Sequence, residues 1–142
     1  MYKKILVALE NTAADATLLP HIAELAGKLS SHLLLMHVAD GWAARHFDRL
    51  KLVESEEITA DRDYLERTAK KLRETGLAVS VQLAMGDPAT ELIKAAEEQH
   101  CDLIAMGSHG HKLIGDIILG STIHGVRHRT SIPVLSVRAK SK

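Results

Sequence analysis

The strongest constraint on how this chain folds is the alternation of short apolar runs with longer amphipathic ones. Lys4-Ile-Leu-Val-Ala-Leu9 and His32-Leu-Leu-Leu-Met-His-Val38 are nearly continuous apolar stretches. Such runs suit strands buried on both faces of a parallel sheet. Ala78-Val-Ser-Val-Gln-Leu83 alternates instead, which predicts a strand near an edge, with one face less buried. Residues 102–107 and Ile132-Pro-Val-Leu-Ser-Val137 supply two further strands.

Helical patterns fill the gaps. Thr12 and Asp15 resemble a capping box with Asp in place of Glu. Leu18, Ile22, Leu25 and Leu29, flanked by Leu19 and Ala26, then form a stripe at helical spacing. Pro20 within it predicts a late start or a kink. Glu56 to Glu74 places Ile58, Leu65, Thr68, Ala69 and Leu72 on one face, with Gly76 where a C-terminal cap belongs. Gly86-Asp87-Pro88 opens a third helix, Asp87 as N-cap and Pro88 at the first position, with Leu92, Ile93 and Ala96 inward. The last helix is expected over Ile123 to Arg129, where Gly125 costs about 1 kcal/mol relative to alanine. Strands alternating with helices give an α/β fold, a doubly wound five-stranded parallel sheet with helices on both faces. Five strands suggest the order 3-2-1-4-5, whose switch point lies between strands 1 and 4.

Composition agrees with one domain over 1–142. Apolar residues are 46% and aromatics only 3%, so the core must be aliphatic. The formal net charge of zero argues against a nucleic-acid partner. The single cysteine, Cys101, suits a reducing compartment. It precedes a buried strand, so inert packing is its expected role. Neither a leader peptide nor a run of membrane-spanning length is visible, so a cytoplasmic protein without membrane contact is expected.

Strand 4 leads into Met106-Gly-Ser-His-Gly-His-Lys-Leu-Ile-Gly-Asp-Ile-Ile-Leu-Gly-Ser-Thr122. Glycines at the exit of a strand let the backbone approach a ligand closely. The N–H groups of a following helix then favour an anion, most often phosphate. Gly110-x4-Gly115 has P-loop spacing, but Asp116-Ile117 stands where Lys-Ser/Thr is required. The dinucleotide spacing G-x-G-x-x-G is also missing. What the residues do carry is Gly107-x2-Gly110-x9-Gly120-Ser121. A strand-to-helix loop that uses glycine only for tight turns is the simpler alternative.

That spacing resembles the signature of universal stress proteins of the ATP-binding class, and the likeness spans the whole chain, least over 40–60. The resemblance implies the same strand order and a nucleotide site made of Ala8, Leu9, Glu10, Val38, Met106, Gly107, Ser108, His109, Gly110, Gly120, Ser121 and Thr122. In it, Gly107 and Gly110 let the loop fold over the phosphates, and Gly120 brings backbone N–H groups close. Ser121 adds a hydroxyl to the terminal phosphate or its metal, and Val38 lines the adenine pocket through its backbone. Glu10 stands where the family usually has an Asp that contacts the nucleoside. The extra methylene moves its carboxylate by about 1.5 Å, onto a ribose hydroxyl or against the adenine. Ser136 replaces an apolar residue usual in the last strand. The implied ligand is ATP, ADP or AMP, with magnesium or manganese carried on the phosphates. The implied assembly is a homodimer through an edge strand containing Ile132, Val134, Leu135 and Val137. The sequence names no protein partner.

Two further features stand apart from this motif. Trp42 and Phe47, in a stretch with Arg45, His46 and Arg49, read first as an apolar clamp docking 41–55, and more sharply as a lid. Nine histidines include the pairs His109/His111 and His124/His128. Zinc needs three or four converging ligands, so no protein metal site is assigned. An enzyme of the same broad superfamily would carry Ser-Gly-Gly-x-Asp-Ser after strand 1 or a His-Ile-Gly-His motif. Glu10-Asn-Thr-Ala-Ala-Asp15 is neither. A regulatory binding protein with at most slow hydrolysis is therefore expected, ahead of a nucleotide-hydrolysing enzyme or a nucleotide-free dimeric module.

Overall fold

Successive residues of the first apolar run point to opposite faces of a sheet, and both faces are covered. A computed structural model describes residues 1–40, 51–108 and 116–139, the side chains of 40, 51–57 and 116–121 excepted. Its elements are β1 (Lys4–Ala8), α1 (Asp15–Leu29), β2 (His32–Asp40), α2 (Lys51–Glu74), β3 (Ala78–Gly86), α3 (Pro88–Glu98), β4 (Leu103–Ser108), α4 (Asp116–Arg129) and β5 (Val134–Arg138). The strands pair in the order β3-β2-β1-β4-β5, all parallel.

On one face, Ile5, Val7 and Leu9 of the β1 run join Leu33, Leu35, Leu103 and Ala105 beneath α1 (Leu18, Ile22, Ala26) and α2 (Leu65, Ala69). On the other, Leu6 and Ala8 join Leu34, Met36, Ile104 and Met106 beneath α3 (Ala89, Leu92, Ala95, Ala96) and Val126 of α4. Both faces are dry because a parallel sheet reached by helical crossovers is covered twice. Cys101 is buried on the α3/α4 side, where desolvation pushes its thiol up.

Several boundaries differ from those the sequence suggests. The helix α2 begins at Lys51 rather than Glu56. The helix α4 begins at Asp116 rather than Ile123, which puts Gly120, Ser121 and Thr122 inside it. Each glycine lowers helix propensity by about 1 kcal/mol. Burial of Val126 and packing of Ile123 supply tertiary support of the kind that commonly outweighs propensity. The strand β3 runs on to Gly86, at φ +137°, and pairs with β2 along its whole length. It is an edge, as its alternation predicts. Pro133 has no N–H, and β5 starts after it at Val134, while the Pro133 carbonyl accepts from Ile104 at 3.0 Å. Ser136 is an exposed position of β5.

The start of α1 is also different. Its N-cap is Ala14, with no side-chain cap hydrogen bond. The Thr12/Asp15 capping box does not form, because Asp15 reaches further back along the chain. The helix is assigned without a break through Pro20, neither starting after it nor interrupted by it. Pro20 offers no N–H to the Ala16 carbonyl, and both residues lie at exposed positions where water can serve as partner. Gly76 caps α2 at φ +97° as expected. Asp87 caps α3, accepting from the Thr90 amide at 3.0 Å.

Candidate functional site

Strand order reverses between β1 and β4. The helix α1 leaves β1 toward one face and α4 follows β4 on the other. Ligands of open α/β sheets sit outside the carboxyl ends of the strands at such a point. Here those ends are adjacent, with Ala8 of β1 paired to Met106 of β4. The crevice floor is main chain, because the nearby side chains are spent on the core: Ala8 and Met106 on one face, Leu9 on the other. Leu9 extends the ladder by donating to the Met36 carbonyl at 2.8 Å. Val38, near the end of β2, is half-buried and packs against the α3/α4 core. Ser108 accepts from the Ala139 amide at 2.6 Å.

Gly107 has a role the sequence reading did not assign. It is buried, and a Cβ on it would stand 3.4 Å from the Ala14 Cβ and 3.7 Å from the Ala14 carbonyl oxygen. Gly107 therefore faces the start of α1 at the distance where an added methyl would make an ordinary contact. The close approach is to this chain's own helix.

The loop between β1 and α1 is organised by Asp15, which along the sequence reads only as part of a helix cap. Asp15 is 3% exposed. One carboxylate oxygen accepts from the Glu10 amide at 3.1 Å, and the other from the Asn11 amide at 2.9 Å and the Tyr64 hydroxyl at 2.6 Å. Burial, then the hydrogen bond to Asp15, pushes the Tyr64 phenol well above its ordinary range, so it stays a donor. The Glu10 and Asn11 amides that follow β1 thus already hold a carboxylate, and it is internal. Beside them, Asn11 Nδ2 donates to Asp61 at 3.3 Å, the other Asp61 oxygen lies 3.2 Å from His37 Nε2, and His37 Nδ1 meets the Leu9 carbonyl at 2.9 Å. The only hint in the sequence is an acid at the expected start of a helix. Its partner outside the loop, Tyr64, lies on α2, and no local pattern announces it.

The remaining candidates divide. Glu10 is half-buried at the crevice edge, its carboxylate accepting from the Thr12 hydroxyl at 3.0 Å. Gly120, Ser121 and Thr122 lie in the first half of α4, with Thr122 half-buried. His109, Gly110, His111 and Lys112, and likewise Trp42, Arg45, His46, Phe47 and Arg49, lie outside the described residues. His124 and His128 lie with ring centroids 4.1 Å apart, tilted at 52°, on the exposed side of α4. Among the described residues no three His, Cys, Asp or Glu side chains converge as metal ligands, and no helix is long and apolar enough to cross a membrane.

A doubly wound parallel sheet with its switch point between β1 and β4 and a glycine-spaced strand exit defines a class of α/β domains. Comparison narrows it: the model of the Universal stress protein family matches residues 1–138, and the chain belongs to that family. Universal stress protein MJ0577 of Methanocaldococcus jannaschii is 28% identical over 99% of this chain and 98% of its own. A solved structure of MJ0577 superposes with a TM-score of 0.87, covering 100% of this chain and 99% of that one. Two more distant structures share the fold and contain ligands. One is a universal stress protein in complex with cAMP, 18% identical with a TM-score of 0.70, covering 98% of each chain. The other, from Archaeoglobus fulgidus in complex with dAMP, is 21% identical with a TM-score of 0.71, covering 96% of this chain and 98% of its own.

Proposed function

We propose that this chain is a regulatory, stress-response protein that binds an adenine nucleotide across the carboxyl ends of β1 and β4. The observation that carries the reading is the Gly107-x2-Gly110-x9-Gly120-Ser121 spacing beginning at the end of the interior strand β4, beside the end of the central strand β1. Asp15 gives the site a direction. A carboxylate already occupies the Glu10 and Asn11 amides that follow β1, so a phosphate there would meet like charge. The phosphates belong on the β4–α4 side, and the nucleoside toward β1 and β2, with Val38 and the main chain of Ala8 to Glu10. The cAMP and dAMP complexes of two proteins of this fold support adenine as the base. ATP, ADP and AMP are the proposed ligands, with magnesium or manganese on the phosphates and Ser121 as the motif hydroxyl that meets them.

The protein binds rather than turns over. Fast phosphoryl transfer needs a placed nucleophile and charges that strengthen in the transition state. A main-chain cradle holds ground and transition states about equally and gives affinity without rate. The same reading places the protein in the cytoplasm as a homodimer joined along the outer edge of β5. Val134, Leu135 and Val137 are half-buried there, and an apolar edge recruits a second strand.

Isothermal titration with ATP tests the site. Gly110→Val is expected to abolish binding, and equal affinity in wild type and variant would sink the assignment. A steady-state ATPase assay with Mg²⁺ and Mn²⁺ tests the rest. Turnover on the order of 1 s⁻¹ or faster, lost in His109→Ala, would overturn the binding-protein reading. A monomer mass by sedimentation would refute the β5 dimer.

A further inference from the structure

Helix α2 reaches the crevice through two side chains one turn apart, Asp61 and Tyr64. Both end on the β1–α1 loop. The Tyr64 hydroxyl donates at 2.6 Å to the same Asp15 oxygen that accepts the Asn11 amide at 2.9 Å. Asp61 accepts from Asn11 Nδ2 at 3.3 Å and lies 3.2 Å from His37 Nε2. A carbonyl oxygen only accepts, so His37 Nδ1, 2.9 Å from the Leu9 carbonyl, is the donor there. Asn11 itself sits at φ +61°, in the left-handed region that a non-glycine residue keeps only when its surroundings hold it. Those surroundings are Asp15 on its amide and Asp61 on its side chain.

The backbone from Leu9 to Asn11 is therefore fixed from outside the loop, by a strand on one side and by α2 on the other. We propose that Asp61 and Tyr64 are positioning residues for the nucleoside half of the crevice. They set where the main chain at Glu10 stands without touching the ligand, so α2 governs how well the site accepts a nucleoside. This inference rests on the adenine-nucleotide reading, and its test separates the two.

The full-length chain is compared with Tyr64→Phe, which removes one oxygen, and with Asp61→Asn, which keeps the shape. The probes are ATP and inorganic tripolyphosphate, the latter carrying the phosphate chain alone. A hydrogen bond to a charged group is typically worth a factor on the order of ten or more. Tyr64→Phe is accordingly expected to weaken ATP about tenfold and leave tripolyphosphate within about twofold. Amide exchange at Glu10 and Asn11 in the ligand-free variant is expected to quicken about tenfold, and Asp61→Asn to move both readouts the same way by less. Parallel loss of both probes would mark a merely structural role and overturn the proposal, as would unchanged ATP affinity in both variants. Failure of wild type to bind ATP would sink the nucleotide reading instead. Unchanged Glu10 and Asn11 exchange in Tyr64→Phe would then overturn the positioning role on its own account.

Discussion

The two faces of the sheet are filled by different means. Beneath α1 and α2 the contact is made by large aliphatic side chains, with Leu18 and Ile22 at 0% and Leu65 at 1% exposure. Beneath α3 and α4 it is made largely by small ones, Ala89, Ala95 and Ala96, and Gly125 faces α3 so closely that a Cβ on it would lie 3.2 Å from the Ala89 Cβ. The first face depends on volume, and at its carboxyl end it accommodates the buried Asp15 with its donors. The second depends on near contact between helices. The polar network sits on the first side, and the tight Gly125–Ala89 contact sits on the second.

The largest expected effect tests the volume side. Ile22→Ala should lower stability by about 3–4 kcal/mol, since it removes a fully buried side chain and the surroundings close only partly. Urea denaturation measures it, and a loss below about 1 kcal/mol would mean that the α1/α2 layer collapses readily into cavities.

The second prediction tests close approach. Gly125→Leu should cost about 1–3 kcal/mol through overpacking against Ala89. Gly27→Ala, in α1 with nothing within 4 Å of the added Cβ, should instead stabilise by up to about 1 kcal/mol through helix propensity. Thermal melts of the pair decide the point. Equal shifts would erase the distinction between a packing glycine and a solvent-facing one.

The third concerns the start of α3. Asp87→Ala should cost about 1 kcal/mol, an N-cap's typical contribution. Hydrogen bonds from the Thr90 hydroxyl and amide, then Arg129, hold the Asp87 carboxyl below the usual carboxylate range. The folded value is the lower one, so the cap's contribution is present above the unfolded value and is lost as pH falls through the folded one. A stability profile below about pH 4, flatter in the alanine variant, is the expected record. An unchanged acid limb would refute the cap's titration.

The smallest effect belongs to His32, at the start of β2. Burial, then the nearby Lys4, lowers its value from 6.5, and its Nε2 meets the Ser80 hydroxyl at 2.9 Å. The folded form therefore favours the neutral ring. Its contribution is complete above 6.5 and declines as pH falls through the lower folded value. His32→Gln should flatten that part of the profile, and an identical slope in the variant would assign the decline elsewhere.

The sequence by itself determined the sheet and its switch point. Apolar runs without alternation must be buried on both faces, and interleaved helical stripes leave few ways to cover them. β3 announced itself as an edge by alternating, and Asp87-Pro88 announced the start of α3. The Gly107–Ser121 spacing and the family resemblance were legible for the same reason: they are local patterns along the chain.

Only the tertiary structure decided what the individual residues do there. Gly107 reads as a loop glycine until α1 is laid over β4, and then it is seen to face Ala14. Asp15 reads as a helix cap until Tyr64, far along the chain, is brought onto its carboxylate. α4 begins at Asp116 although its glycines disfavour a helix, and Gly125 is a loss of propensity until Ala89 stands against it. In each case the deciding partner lies on another element. A pattern along the chain reports which surfaces must be buried, whereas which atoms meet across them is settled only when the elements pack.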